Sequence, residues 1–285
     1  MIKSIQQDVK EYGKQGDKTL EFIGVNISKL GYEEYKCYRF WDKENGSAVP
    51  YLKQFEQCSS LKRLDMQEIS KNMFRASYKV VDCENLKADL ENILAKNIQT
   101  TITVKEIIEI NDFLKKELET KEAPLCVVGC KAYKNGEIQQ LKIYYKLKVF
   151  DKNKEPFLAS EKTYFKILQR LKKKYEIKTQ EIKKVEKIYR FLKENNYEPM
   201  QIGFNITNEI DSIKYYFKKS NDREEKQGMA VIHKLLNFIG INVDLSVKGM
   251  FDTIDEQNLV LKGGAVSYNM SNKMLNSLNI YFVEK

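Results

Sequence analysis

The segment LKIYYKLKV, residues 141–149, alternates strictly in character. Leu141, Ile143, Tyr145, Leu147 and Val149 share one parity, and Lys142, Tyr144, Lys146 and Lys148 share the other. Successive side chains of a strand point to opposite faces, so this stretch predicts a strand with one apolar face and one lysine–tyrosine face. A helix would scatter the same residues around its circumference. The pattern recurs along the chain. In SIKYYFK, Ile213, Tyr215 and Phe217 oppose Lys214, Tyr216 and Lys218, and in SLNIYFV, Leu278, Ile280 and Phe282 oppose Asn279 and Tyr281. EYKCYRF puts Lys36 and Tyr38 on one parity, and FRASYKV does so for Arg75, Ser77 and Lys79.

These strands come in pairs joined by short polar turns. The pairs are 20–27 with 33–40, 125–132 with 138–149 across Asn135-Gly136, 200–207 with 211–218, and 258–268 with 276–284. A further pair combines 74–82 with 98–104. The first strand of each hairpin adds a glycine to the polar face: Gly24 with Asn26, Gly129 with Lys131, Gly203 with Asn205, and Gly263-Gly264 near the end. FIGVNIS and QIGFNIT are close copies of one another, as expected of an internal repeat.

Amphipathic helical patterns lie between the pairs. Tyr164, Ile167, Leu168, Leu171 and Tyr175 form one stripe, and Val185, Ile188, Phe191 and Leu192 another. Asn221 with Glu224 reads as a capping box, and Gly240 as the stop of the helix it opens. His233, in AVIHKLLNF, reads as a packed helix residue rather than a base, and Trp41 as core or acceptor platform. The order is helix, helix, strand, strand, five times in 285 residues.

Ten one-sided strands in an open sheet would leave vulnerable edges, and closure into a barrel removes them. The fold class expected is α+β: a closed antiparallel barrel of about ten strands ringed by helices, one domain over residues 1–285, its polar faces lining a lumen. The plainer alternative is a set of half-exposed strands whose lysines and tyrosines face water.

Composition narrows the function. The net charge of +9 points to an anionic partner, either nucleic acid, a membrane surface or a phosphorylated small molecule. The five cysteines contain no Cys-x-x-Cys pair and His233 stands alone, so neither a zinc site nor a disulfide framework is expected. No apolar run reaches membrane-spanning length, and the polar start does not read as a signal peptide. A cytoplasmic monomer without membrane contact is the expectation.

The helix–helix–strand–strand order with an inward Lys-x-Tyr face resembles the ABBA-type aromatic prenyltransferases, the prenyltransferase barrel. The motifs that carry the resemblance are Lys36-x-Tyr38, Lys142-x-Tyr144, Lys214-x-Tyr216 and Asn279-x-Tyr281. The resemblance implies transfer of a dimethylallyl or geranyl group from an allylic diphosphate to an electron-rich acceptor. It implies Lys36, Arg75, Lys142 and Lys214 on the diphosphate, and Tyr38, Tyr144, Tyr216 and Tyr281 as a shield for the allylic cation. Asn26 and Asn205 would bond the bridging oxygen or the acceptor. Glu21 is the candidate general base, although strict alternation places it outward with Ile23 and Val25 unless a bulge turns it. No protein metal site is implied; magnesium would ride on the diphosphate. Because only a few residues follow Phe282, the chain is most similar to the cyanobactin branch, and a peptide side chain is the expected acceptor, with a small aromatic molecule as the alternative. The rival of another class is a basic nucleic-acid-binding protein without catalysis, whose strands would offer stacking tyrosines between lysines.

Overall fold

A computed structural model describes residues 18–40, 55, 57–70, 73–97, 104–133, 137–150, 156–158, 160–220, 228–242, 248–249, 252 and 259–284. The first two hairpins are β1 (Lys18–Ser28) with β2 (Gly31–Phe40) and β3 (Leu61–Ser70) with β4 (Met73–Val80). Helices α1 (Leu86–Asn97) and α2 (Val104–Glu117) precede β5 (Leu125–Tyr133) and β6 (Ile138–Lys146). The short β7 (Lys148–Phe150) and β8 (Pro156–Leu158) pair with one another, and α3 (Glu161–Tyr175) and α4 (Thr179–Glu194) follow. Next come β9 (Tyr197–Ile206), β10 (Ile210–Lys219), α5 (Gly228–Ile239), β11 (Leu259–Asn269) and β12 (Met274–Glu284).

Ten of the strands close into one antiparallel barrel in the order β1-β12-β11-β10-β9-β6-β5-β4-β3-β2. The β2–β3 seam is the thinnest, a single pair between Tyr38 and Met66. Closure removes the edges that ten one-sided strands would otherwise expose. One face of each strand therefore packs under the helices and the other faces the lumen.

The outward face is the core. Ile143, Tyr145, Phe204, Ile213, Tyr215 and Leu278 are all buried in a single apolar layer with the inner stripes of the helices. Tyr145 shows how a large polar-tipped residue is accommodated: its hydroxyl donates to the Ile107 carbonyl of α2 at 2.9 Å. Its ring meets Phe204 edge to face, with centroids 5.7 Å apart. Ser160 caps α3 by accepting from the Thr163 N–H at 3.1 Å. Glu181, in the first turn of α4, is buried and accepts from the Leu275 N–H at 2.8 Å and from the Lys184 ammonium at 2.8 Å. Leu275 adjoins the register shift between β11 and β12, so the carboxylate binds a backbone donor beside the interrupted ladder.

Three expectations are corrected. The partner of residues 74–82 is β3, not 98–104; Val104 opens α2, and residues 98–103 lie outside the described residues. Strand β6 ends at Lys146, so Val149 and Lys148 belong to the separate β7–β8 hairpin and not to the barrel. Gly264 faces outward: a Cβ there would lie 2.8 Å from Phe217 Cζ. A bulge between Leu261 and Gly263 shifts the parity, and Ala265 takes the place opposite Asn279. The turn Asn135-Gly136, the cap Asn221 with Glu224, and Trp41 lie outside the described residues.

Candidate active site

Register places the inward residues in slanted rows, as the tilt of barrel strands requires. One row runs Ser77, Gly129, Lys142, Asn205, Ser212 across β4, β5, β6, β9 and β10. The next runs Tyr144, Gly203, Lys214, Ser267, Ser277 across β6, β9, β10, β11 and β12. A third runs Tyr216, Ala265, Asn279, Asn26, Glu33 from β10 round to β2. Arg75 and Lys131 are partners on β4 and β5, and so lie one step above Ser77 and Gly129.

Four cations meet in these rows. Burial pushes Lys142 well below the usual lysine range, reinforced by the like charges of Arg75, Lys214 and Lys131. Burial, then Arg75, lowers Lys214 to about 7. Lys131 is also lowered, by burial and then Arg75, with Glu33 acting the other way. Among the described residues no acidic side chain acts on Lys142 or Lys214. Lys142 is only 3% exposed, which excludes the reading of a water-facing sheet. Like charges gathered at buried positions are costly, and an entering anion or the loss of protons from Lys142 and Lys214 relieves that cost. The shape of the demand is that of a multiply charged anion.

Aromatic rings lie beside the cations. The Tyr144 and Tyr216 rings sit edge to face with centroids 5.6 Å apart. Gly203 gives them room, because a Cβ there would lie 2.9 Å from Tyr216 Cε2 and 3.1 Å from Tyr144 Cδ1. Gly129 has a similar part: a Cβ would contact Lys142 Cβ at 3.4 Å and Tyr144 Cε2 at 3.6 Å. Tyr281 is half-buried on the same inward face, aligned with Gly24 and Gly263.

Of the residues singled out in the sequence, Arg75, Lys142, Lys214, Tyr144, Tyr216, Tyr281, Asn26 and Asn205 all lie on lumen rows or beside them. The backbone of Lys36 pairs with Ile23, and that of Tyr38 with Leu20; both side chains lie outside the described residues. Glu21 is the residue that the β1–β2 register skips, between Leu20 and Phe22, so a bulge does interrupt the alternation there. Its side chain too lies outside the described residues.

Three residues on the lumen rows or beside them had no role assigned from the sequence. Lys131 shares the parity of Gly129, which was visible in the sequence, but its approach to Arg75 needed the β4–β5 pairing. Glu33 is exposed at the end of the Asn26 row, and its charge acts on Lys131. Asn279 was visible in Asn279-x-Tyr281, but its pairing with Asn26 depends on barrel closure. Among the described residues there is no group of three His, Cys, Asp or Glu that could hold a metal. The ammonium and guanidinium groups of Lys131, Lys142, Lys214 and Arg75 suit an anion.

No protein-family model matches the sequence, and no curated protein matches it significantly. Solved structures do match the fold. AnaPT from Neosartorya fischeri superposes with a TM-score of 0.57 at 10% identity, covering 94% of this chain and 78% of that one. The NotF prenyltransferase superposes with a TM-score of 0.56 at 10% identity, covering 94% of this chain and 80% of that one. The architecture is that of the prenyltransferase barrel.

Proposed function

We propose that this chain is a prenyltransferase that moves a dimethylallyl or geranyl group from an allylic diphosphate to an electron-rich acceptor. The observation that carries the proposal is the convergence of Arg75, Lys131, Lys142 and Lys214 beside the Tyr144–Tyr216 pair. The shared fold with the NotF prenyltransferase supports the same reading.

In the proposed reaction the allylic C–O bond breaks and the electron pair leaves with the diphosphate. Pre-placed ammonium and guanidinium groups meet that developing charge without reorganising, which lowers the barrier. The allylic cation lies against the tyrosine rings, which stabilise it and keep water away. The acceptor forms the new bond to the allylic carbon and gives up one proton. Glu21 is assigned as the base that takes it, on the strength of the bulge at that position. Magnesium, if present, would reach the lumen on the diphosphate oxygens.

A side chain of a peptide is the acceptor proposed, with a free phenol as the alternative. The nucleic-acid reading suffers from burial: Lys142, buried inside the barrel, is not placed to track a phosphate backbone. The decisive experiment is mass spectrometry of a tyrosine-containing peptide and a small phenol, each incubated with dimethylallyl or geranyl diphosphate. Addition of one prenyl group to either supports the enzyme, and the preferred substrate fixes the acceptor. No product with any acceptor, no thermal stabilisation by the donor and salt-steep binding of an oligonucleotide would overturn it.

A further inference from the structure

Asn26 and Asn279 are cross-strand partners on β1 and β12, and both lie on the lumen row that contains Tyr216. Asn279 is 4% exposed. The Oδ1 of Asn26 and the Nδ2 of Asn279 are both buried and have no hydrogen-bond partner among the described residues. One is an acceptor and the other a donor. Cross-strand partners carry their Cβ atoms about 4.5–5.5 Å apart, so the two amide groups stand side by side. Exchanging O and N in both amides would still leave one donor and one acceptor.

Buried polar atoms without protein partners are destabilising unless water or a ligand completes them, and a pair of complementary ones on a lumen wall is placed to meet a ligand. Their position shows where that ligand would sit. Between the β12–β1 seam and the β6–β5 seam, three strands intervene on either side of the ring. The asparagines are therefore on the wall opposite Lys131 and Lys142 of β5 and β6. Ala265 stands between Asn279 and Tyr216 on the same row and adds only a methyl group. A donor whose diphosphate lies on the cationic wall points its prenyl carbon across the lumen, toward the asparagine wall.

We infer that Asn26 and Asn279 form an acceptor subsite that recognises an amide edge, an N–H and a C=O presented side by side. The N–H of the acceptor donates to Asn26 Oδ1, and Asn279 Nδ2 donates to the C=O. An extended peptide residue presents its own N–H and C=O on one side in this way, and so does a lactam. A simple phenol presents neither. The inference rests on the prenyltransferase reading and adds to it what the acceptor must carry.

The test uses the full chain and three ligands: N-acetyl-tyrosine N-methylamide, a tyrosine-derived lactam, and p-cresol. Binding is measured by calorimetry with and without a non-hydrolysable allylic diphosphate analogue, so turnover is not required. The wild-type chain is expected to bind one or both amides roughly tenfold to a hundredfold more tightly than p-cresol. Which of the two amides binds tells a peptide backbone from a lactam. Asn279→Leu and Asn26→Leu are expected to abolish that preference and keep or raise the Tm, and Asn279→Leu to leave p-cresol and the donor analogue unaffected. Equal binding of all three ligands by the wild type would overturn the inference, as would loss of p-cresol or donor binding in Asn279→Leu, or a sharp fall in Tm in either variant. If the donor analogue fails to bind the wild type, the prenyltransferase reading falls, and the amide preference measured without donor still decides the subsite.

Discussion

Tyr144 and Tyr216 meet edge to face, 5.6 Å between centroids, above the bare backbone of Gly203. The glycine is required by that approach, not by its own backbone angles. In Gly203→Ala the new methyl would lie 2.9 Å from one ring and 3.1 Å from the other, so both must shift. The rings can rotate, and the stability cost is expected to be about 1–3 kcal/mol. Prenyl transfer should fall roughly tenfold or more, with escape of the cation to water seen as free prenyl alcohol. Wild-type turnover with no rise in prenyl alcohol would remove the tyrosine pair from the reaction.

Lys142→Met and Lys214→Met should separate activity from stability. Each removes a buried cation from a group of like charges, so the Tm should hold or rise. Turnover should fall about tenfold to a thousandfold, the scale of one preorganised charge contact. Thermal melts read beside steady-state rates check both halves.

Two adjacent tyrosines should behave oppositely. Tyr145 faces outward and donates to Ile107, so Tyr145→Phe should cost about 1–3 kcal/mol of stability and leave kcat/KM unchanged. Tyr144 faces the lumen, and Tyr144→Ala should cut the rate with a smaller change in Tm. Denaturant unfolding together with kinetics distinguishes the pair, and matched effects in both variants would contradict the two-faced strand.

The pH dependence follows from Lys214, which titrates at about 7 in the fold against its ordinary 10.5. Below about 7 it is charged in the folded and unfolded chain alike, and the fold bears the full cost of the buried charge. Above 10.5 it is neutral in both and the cost disappears. Between these limits the unfolded chain binds more protons, so stability should rise with pH across that window. Lys214→Met should flatten the rise. An allylic diphosphate analogue favours the charged lysine, so binding at pH 8 should take up protons, read by calorimetry in two buffers of different ionisation enthalpy. Identical observed heats in the two buffers would show that Lys214 is already charged.

Alternation was sufficient to read the strands whose apolar residues are β-branched or aromatic. β6, β9, β10 and β12 and their inward residues Lys142, Tyr144, Lys214, Tyr216 and Asn279 follow from parity alone. β3 was not legible, because LKRLDMQEIS is built largely of good helix formers and its strand state is imposed by pairing with β4. Parity also fails at bulges, as at Leu261/Gly263, where one extra residue turned Gly264 outward and put Ala265 in the lumen.

The sequence by itself determined the period-2 patterning, the hairpins and the burial of one face, because side-chain direction in a strand is a local consequence of backbone geometry. Which residues meet across the lumen was decided by closure. The stagger of ten strands brings Arg75 and Lys131 to Lys142 and Lys214, and sets Asn26 beside Asn279 although the two are far apart in the chain. That stagger belongs to the ring of strand pairings as a whole, and no single segment contains it.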